Sequence, residues 1–293
     1  MGLFHWLHGH VRKGFLLLVN FLFNYEFVLA FVGRLGIFSS VFVAYPASED
    51  MALAYVYPQH RGRMAWTPWP AGIFRQNGKW GLLMVISSTE ESFNKENKSN
   101  LELLLRNTCH VQRLLRAEQH TFAGVLPSIF AQLGFRRDTV EADVTVASVL
   151  RAEALLNPGE DAVVVLGGKG FLGRRIVEAL QGKRRKVIVV DIDDTWPSHL
   201  QGTRLLVINT SRKSVLRDYL ESFWSGVTLL NEVYPAPSAY ERDRLRELGI
   251  DLFHVVGLQA FSFPSFPREY SGGIPCCAGW NCSDLNVLVR LIN

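Results

Sequence analysis

Cysteine is scarce: Cys109, Cys276, Cys277 and Cys282 are the four in 293 residues. That is too few for a disulfide framework and points to a reducing, cytoplasmic setting. Three of them form a C-C-x4-C cluster. No paired Cys or His half-site at zinc spacing accompanies it, so no metal site is expected. Charge is sparse as well, at 20% charged residues and a formal net charge of +4. The basic residues are dispersed over Arg61 to Arg63, Arg136-Arg137, Lys183 to Lys186 and Arg212-Lys213. No stripe is available to track a phosphate backbone, which argues against nucleic acid as a partner. Internal repeats and low-complexity tracts are also missing.

A long uninterrupted hydrophobic run is lacking too. The nearest approach, GFLLLVNFLFNYEFVLAFVG from Gly14 to Gly33, is preceded by Arg12 and Lys13 and broken by Asn20, Asn24 and Glu26. A carboxylate at a bilayer centre costs about 2.5 kcal/mol or more, so a buried or membrane-surface helix suits the segment better than a span. Leu16, Val19, Phe23, Phe27 and Ala30 share one helical face, and His5, Trp6, His8 and His10 form an interfacial lead-in. No small-residue cleavage site follows, and MGLFHW lacks the Ser or Thr of a myristoylation signal. Core packing, a partner and a membrane surface all stay open for this helix.

What is present is a folding composition, 48% apolar in a chain long enough for two domains. VFVAYP (Val41 to Pro46), LAYVYP (Leu53 to Pro58) and WGLLMVIS (Trp80 to Ser87) read as strands, and QNGK (Gln76 to Lys79) as a hairpin turn. A helical period covers Leu101 to Glu118. HTFAGVLPSIFAQLG (His120 to Gly134) reads as an apolar strand or turn, and Val144 to Leu156 as a helix that stops at NPGE (Asn157 to Glu160). The expected organisation is an amphipathic segment over 1–40, a substrate or partner α/β domain over 41–157, and a dinucleotide-binding domain over 158–293.

The strongest signal lies in the third part. VVVLGGKGFLGRRIVEALQGKRRKVIVVD (Val163 to Asp191) is a strand, a glycine turn, a helix and a second strand closed by an acid. Gly168, Gly170 and Gly173 have G-x-G-x-x-G spacing, and Gly167, Gly170 and Gly173 an alternative register. In either register Gly167, Gly168, Lys169, Gly170, Phe171, Leu172 and Gly173 form the turn and helix start that would cradle a pyrophosphate. Asp191 follows at the distance where a carboxylate accepts ribose hydroxyls. Asp193 and Asp194 beside it favour NAD over NADP on charge, although Lys169 and Arg174 are within reach of a phosphate. Strands at RLLVINTS (Arg204 to Ser211), VTLLNEVYP (Val227 to Pro235) and GIDLFHVVG (Gly249 to Gly257), with a helix over Tyr240 to Leu248, indicate a parallel sheet. Its carboxyl edge would display Gly168, Asn209, Tyr234 and the loop after His254. DLNVLVRLIN, at the end, reads as helical.

The fold expected is therefore α/β, a C-terminal Rossmann-like doubly wound parallel sheet preceded by a smaller α/β substrate domain. The run INTS, NEVYPAP, LRELGI resembles the cofactor domain of the shikimate dehydrogenase and glutamyl-tRNA reductase group. With AGVLPSIF (Ala123 to Phe130), EADVTVASVLRAE (Glu141 to Glu153) and GGIPCCAGW (Gly272 to Trp280), the chain is similar to long-chain acyl-[acyl carrier protein] reductases. The absence of a Tyr-x-x-x-Lys pair argues against a short-chain dehydrogenase. The resemblance implies NAD(P)-dependent hydride transfer on an apolar carbonyl or acyl substrate, and WTPWPAGIF (Trp66 to Phe74) and FSFPSFP (Phe261 to Pro267) are the expected pocket walls. It also implies a nucleophilic cysteine in the loop Gly257 to Pro267, which contains none. His120 and His254 are the candidate acid/base groups, ahead of Asp143 and Ser128. A nucleotide-binding module without catalysis and a membrane-associated interaction protein remain as alternatives, as does a homo-oligomer.

Overall fold

The computed structural model describes residues 13–14, 17–18, 21, 26–135, 139–157, 162–183, 186–211, 215–267, 270, 272–282 and 284–293. The histidine and tryptophan lead-in, Leu16, Val19, Phe23 and most of NPGE lie outside them. The chain divides into two compact units, Met1–Glu141 with Ala260–Asp284, and Ala142–Gln259 with Leu285–Asn293. This division differs from the expected boundary at NPGE: the helix before that tetrapeptide counts with the second unit, and the segment from Ala260 to Asp284 with the first.

The first unit contains helix α1 (Glu26–Arg34), strand β1 (Phe38–Ala44), α2 (Glu49–Tyr55), β2 (Trp69–Gln76), β3 (Lys79–Val85), α3 (Lys98–Leu115), β4 (Gln119–Phe122) and α4 (Leu126–Gln132). Its sheet, completed by the later strand β10 (Phe261–Phe263), runs β10-β2-β3-β1-β4 and is mixed, with β1 parallel to β3 and β4. The Asn-Gly turn behaves as its chemistry requires: Asn77 and Gly78 take φ of 47° and 82°, and β2 and β3 pair antiparallel across it. Val41, Val43, Leu82, Met84, Leu101, Leu104, Phe122 and Phe130 form the core.

Two segments depart from the expectation. LAYVYP is not a strand, because its first residues complete helix α2: the Ser48 hydroxyl accepts from Met51 N at 3.2 Å, and Glu49 and Asp50 sit in the first turn. The helix ends at Tyr55, before Pro58 can interfere. HTFAGVLPSIFAQLG is divided between β4 and α4, with Gly124 at φ 53° and Pro127 in the first turn of the helix. In α1 the buried positions are Leu29 and Gly33, whereas Phe27, on the apolar face read from the sequence, is 70% exposed. A Cβ at Gly33 would strike the backbone of Leu114 and Leu115, so the glycine is what permits α1 to lie close on α3. Among the described residues no helix is long and apolar enough to cross a membrane.

The second unit contains α5 (Val140–Leu156, its first two residues counted with the first unit), β5 (Ala162–Leu166), α6 (Phe171–Gly182), β6 (Val187–Val190), β7 (Leu205–Asn209), α7 (Val215–Tyr219), β8 (Val227–Asn231), α8 (Ala239–Glu247) and β9 (Asp251–Gln259). These five strands are parallel in the order β6-β5-β7-β8-β9. Both faces are covered: Val164 and Leu166 enter one cluster with Leu205, Val207, Leu216 and Leu245, and Val163 and Val165, pointing the other way, are also fully buried. That double burial is why the strand sequences are continuously apolar. After a two-residue strand β11 (Gly273–Ile274) of the first unit, the chain closes with β12 (Val287–Leu291). The helical reading of DLNVLVRLIN is thus corrected: Val287, Leu288 and Val289 suit an edge strand, which pairs antiparallel with β9. Asn293 extends the ladder with its side chain, accepting from Leu252 N at 2.9 Å and donating to Ile250 O at 2.5 Å.

Candidate functional site

The order of the parallel strands reverses beside β5. The chain passes from β5 to β6 on one side and then crosses to β7 on the other, which opens a crevice outside the carboxyl ends of β5 and β7. The glycine turn fills the β5 side of that crevice. Gly167 has φ of 82°, and a Cβ there would come within 2.8 Å of Ser211 N and Cα. A Cβ at Gly173 would collide with the carbonyl of Gly167 and approach Gly168 Cα to 2.7 Å. These two glycines are required by the fold itself, one to turn and one to seat α6 on the turn.

Gly170 is different. It is the N-cap of α6, with φ of −71° and ψ of 176°, backbone that any residue adopts, and no side chain caps the helix. Among the described residues a Cβ would approach Gly167 O, at 3.1 Å, slightly closer than an ordinary contact. Serine, asparagine or aspartate would ordinarily stand here, because each satisfies one of the amides left open at a helix start. Glycine leaves that helix start open instead.

Asp191 lies at the turn. Its carboxylate accepts from Lys169 N at 2.8 Å and from Ile192 N at 2.9 Å. Asp194 accepts from Asp191 N at 2.9 Å and from Lys169 Nζ at 2.8 Å. The Lys169 ammonium holds Asp194 below the usual carboxylate range, and the Asp194 carboxylate in turn raises Lys169. Tyr219 donates to the carbonyls of Asp191, at 2.7 Å, and Asp194, at 3.1 Å, from below the loop. Three carboxylates therefore surround a turn whose lysine is already paired, a setting unfavourable to an added phosphate at the ribose.

Asn209, at the end of β7, is 2% exposed and belongs to a buried network. Its Oδ1 accepts from Ser211 Oγ at 2.5 Å and Ser211 N at 3.2 Å, and its Nδ2 donates to Asn231 Oδ1 at 2.7 Å. Asn231 then donates from Nδ2 to Val233 O at 2.7 Å and to His254 Nδ1 at 2.9 Å. Two amide hydrogens meet two acceptors, which assigns the His254 proton to Nε2; the Asn231 carbonyl, 3.1 Å from Nδ1, would take the proton of the other tautomer. Burial pushes the His254 pKa down, so the imidazole is neutral at pH 7. The network ties the ends of β7 and β8 to β9, while Thr210 binds the β7 end to Leu166 O through both N, at 2.9 Å, and Oγ1, at 3.0 Å.

Of the residues expected at the site, Gly167, Gly168, Lys169, Gly170, Phe171, Leu172, Gly173, Asp191 and Asn209 are brought to the β5–β7 end of the sheet. Tyr234 follows β8, and His254 is buried within β9 and not at its end. His120 belongs to the first unit, with Ser128, whose hydroxyl donates to Val125 O at 2.8 Å. Asp143 is exposed on α5. Sequence reasoning missed Ser211, Asn231 and Glu232. Each directly follows or ends an apolar strand, the same positional signal that marks Asp191 and Asn209. Burial of the Glu232 carboxyl pushes its pKa up to about 8, although the residue as a whole is only partly buried.

In the first unit, the segments expected to wall an apolar pocket largely pack on one another. Phe74 is fully buried, with Phe42, Phe266 and Trp280 rings at centroid distances of 6.2, 6.4 and 5.5 Å. A cavity of about 200 Å³ in this unit is polar, lined by Gln76, Asn77, Lys79, Glu118, Gln119 and Trp280 among others. Cys276 is buried, Cys277 half-buried and Cys282 exposed. Among the described residues no group of three His, Cys, Asp or Glu side chains is arranged to hold a metal ion.

No protein-family description matches the chain, and no curated protein does. Among solved structures, a chain named as a LacI transcriptional regulator from Bacteroides fragilis is 8% identical over 74% of this chain and 85% of its own, with a TM-score of 0.32. VinN in complex with 3-methylaspartate is 11% identical over 86% and 76%, with a TM-score of 0.28. Similarity at this level has no bearing on function.

Proposed function

We propose that the second unit is a Rossmann-like domain that binds NAD(H) in preference to NADP(H), and that the chain uses it for hydride transfer to or from an apolar carbonyl or acyl substrate. The observation that carries this reading is Gly170: a glycine at a helix N-cap whose backbone angles any residue adopts, at the crevice where the strand order reverses. It gives a pyrophosphate access to the helix amides, where the dipole favours an anion. Asp191 would accept the adenosine ribose hydroxyls. Asp193 and Asp194 supply the charge that disfavours the phosphorylated cofactor. Asn209, through Ser211 and Asn231, holds the opposite lip of the crevice. The cofactor, when bound, supplies the hydride; the protein's part is to hold it and keep its face toward the substrate.

Titration of the purified chain with NADH and NADPH, followed by nucleotide fluorescence, tests the reading together with Gly170→Asp and Asp191→Ala. Aspartate is a competent cap, so Gly170→Asp folds while its charge opposes the pyrophosphate. Binding of NADH that is lost in Gly170→Asp supports the proposal, and aldehydes and acyl thioesters then form the substrate screen. Failure of the wild-type chain to bind either nucleotide overturns it. Binding without turnover of any carbonyl substrate would leave a cofactor-sensing module in place of an oxidoreductase.

A further inference from the structure

Helix α3 carries Cys109 and Gln112 three residues apart, which makes them neighbours on one face, and the adjoining edge strand β4 carries His120. The three side chains meet. Cys109 Sγ lies 4.0 Å from His120 Nε2, and His120 Nδ1 lies 2.5 Å from Gln112 Oε1. Gln112 Nε2 donates to Ala117 O at 3.2 Å, which fixes the amide with its oxygen toward the histidine. An amide oxygen only accepts, so His120 carries its proton on Nδ1 and presents the Nε2 lone pair to the thiol. Nucleophile, base and orienting group therefore stand in the order that activated thiols require, with the loose sulfur contact usual before a substrate tightens it.

The surroundings define a partner. Cys109, Gln112 and His120 are all half-buried, so the sulfur is reachable but held. The Phe122 ring meets the imidazole edge-on with centroids 5.5 Å apart. Arg106 and Arg113 flank Cys109 one turn away on either side, and Arg113 Nε donates to Cys109 O at 3.4 Å. Of the carboxylates on neighbouring segments, Glu26 of α1 pairs with His110 at 2.9 Å and Glu118 beside β4 with Lys79 at 2.8 Å, and Glu102 lies on α3 one turn before Arg106. Arg106 and Arg113 are the cations that α3 offers within one turn of Cys109.

We propose that Cys109 is a nucleophilic thiol, with His120 as its base and Gln112 as a positioning residue, that undergoes exchange with small anionic disulfides. The thiol proton passes to His120 Nε2 as the sulfur attacks one sulfur of the disulfide. The disulfide bond breaks as a mixed disulfide forms on Cys109, and the departing thiolate takes the proton from His120. Cys109 is oxidised and one half of the reagent reduced, with no further oxidant. The site lies within the first unit and does not depend on the nicotinamide reading, which its failure would leave untouched.

The test uses the full chain, freshly reduced, and the anionic disulfide dithiobis(nitrobenzoate), with the neutral dipyridyl disulfide in parallel and the adduct mapped by peptide mass. The expected rate at Cys109 falls at least about a hundredfold in His120→Asn, the low end for loss of a positioned base. In the wild-type chain the rate holds nearly level from about pH 8 down to 7 and drops where imidazoles take up a proton. Simple thiolate chemistry would instead lose about tenfold per pH unit. Arg113→Gln should slow the anionic reagent more than the neutral one. A Cys109 that escapes modification, or a tenfold-per-unit wild-type profile, overturns the base assignment even where His120→Asn fails to fold. Equal effects of Arg113→Gln on both reagents overturn the anionic preference.

Discussion

Replacing Gly167 and Gly170 separately should divide the glycine turn into a part that serves folding and a part that serves a ligand. Gly167→Ala puts a side chain on a backbone with φ of 82°, which costs about 1–2 kcal/mol in the left-handed region. The same Cβ would lie 2.8 Å from Ser211 N and Cα, both backbone atoms of a turn anchored by Thr210 and Asn209, so the strain cannot be relieved by a rotamer change. Overpacking of this kind adds about 1–3 kcal/mol. The total, about 2–5 kcal/mol, is a large fraction of the stability of an ordinary domain.

Gly170→Ser carries the opposite signs. Serine accepts φ of −71° and ψ of 176°, and its hydroxyl can cap α6, a gain over glycine of only about a few tenths of a kcal/mol. The approach of its Cβ to Gly167 O at 3.1 Å offsets a gain of that size, so stability should stay within about 1 kcal/mol of wild type. Its side chain nevertheless closes the amides that a pyrophosphate would use, and NADH affinity should fall at least about tenfold, or 1.4 kcal/mol. Urea denaturation followed by tryptophan fluorescence gives the stabilities, with midpoints compared only where the slope is unchanged, and fluorescence titration gives the affinity. A Gly167→Ala variant as stable as wild type, or a Gly170→Ser variant that binds NADH undiminished, would refute the reasoning.

Other expectations follow from the same geometry. Asn231→Ala strips the Asn209 amide of its buried acceptor, at about 1–3 kcal/mol for a group left unpaired, measured by the same denaturation. Glu232→Gln should stabilise the chain at pH 8.5 and change little at pH 4. A carboxyl raised from 4.5 to about 8 in the folded state gives stability that is full below 4.5 and lost as pH rises through 8, at most a few kcal/mol for a partly exposed residue. His254, lowered by burial, has the reverse sign: its contribution is full above the unfolded histidine value near 6.5 and is lost as pH falls below it, so a His254→Gln variant should show a shallower acid transition. Gly33→Ala should loosen α1 from α3, read as faster amide hydrogen exchange in Glu26–Arg34 with the exchange of β5 unchanged.

The parallel sheet was legible because strands buried on both faces leave continuous apolar runs, as in AVVVL and VIVV, and because glycine punctuates their ends. Two features misled the reading elsewhere, and a third was left open. In LAYVYP the aromatic and β-branched content outweighed the Ser-Glu-Asp start just upstream, which was the stronger signal. NVLVRLIN has leucine spacing compatible with a helix, and only its partner β9 decides that it is a strand. Helical arithmetic groups Phe27 of α1 with Ala30 on one apolar face without deciding what covers it; the helix is apolar nearly all round, and the buried face is set at Gly33, the position where backbones approach. In the candidate site, Asp191 and Asn209 were visible as polar residues at strand ends. Ser211 and Asn231 were not, because their importance lies in the bonds they make with Asn209, Ser211 from two residues on and Asn231 from the neighbouring strand β8.

Those cross-strand bonds bear on how the crevice works. Asn209 is buried: its oxygen holds Ser211, and one hydrogen of its amide nitrogen holds Asn231. These bonds make it a brace of the crevice, and the surface it braces is the backbone around Thr210 and Ser211 that faces Gly167. On the opposite side, Tyr219 and the Asp191 to Asp194 loop hold the glycine turn through Lys169. Both lips are thus fixed by bonds behind them, leaving between them the helix start at Gly170, which has no side-chain cap and backbone angles that any residue adopts. A site with rigid walls and open amides loses little entropy when an anion enters. Destabilising the brace by Asn231→Ala should consequently weaken NADH binding even though Asn231 itself would touch no part of the nucleotide.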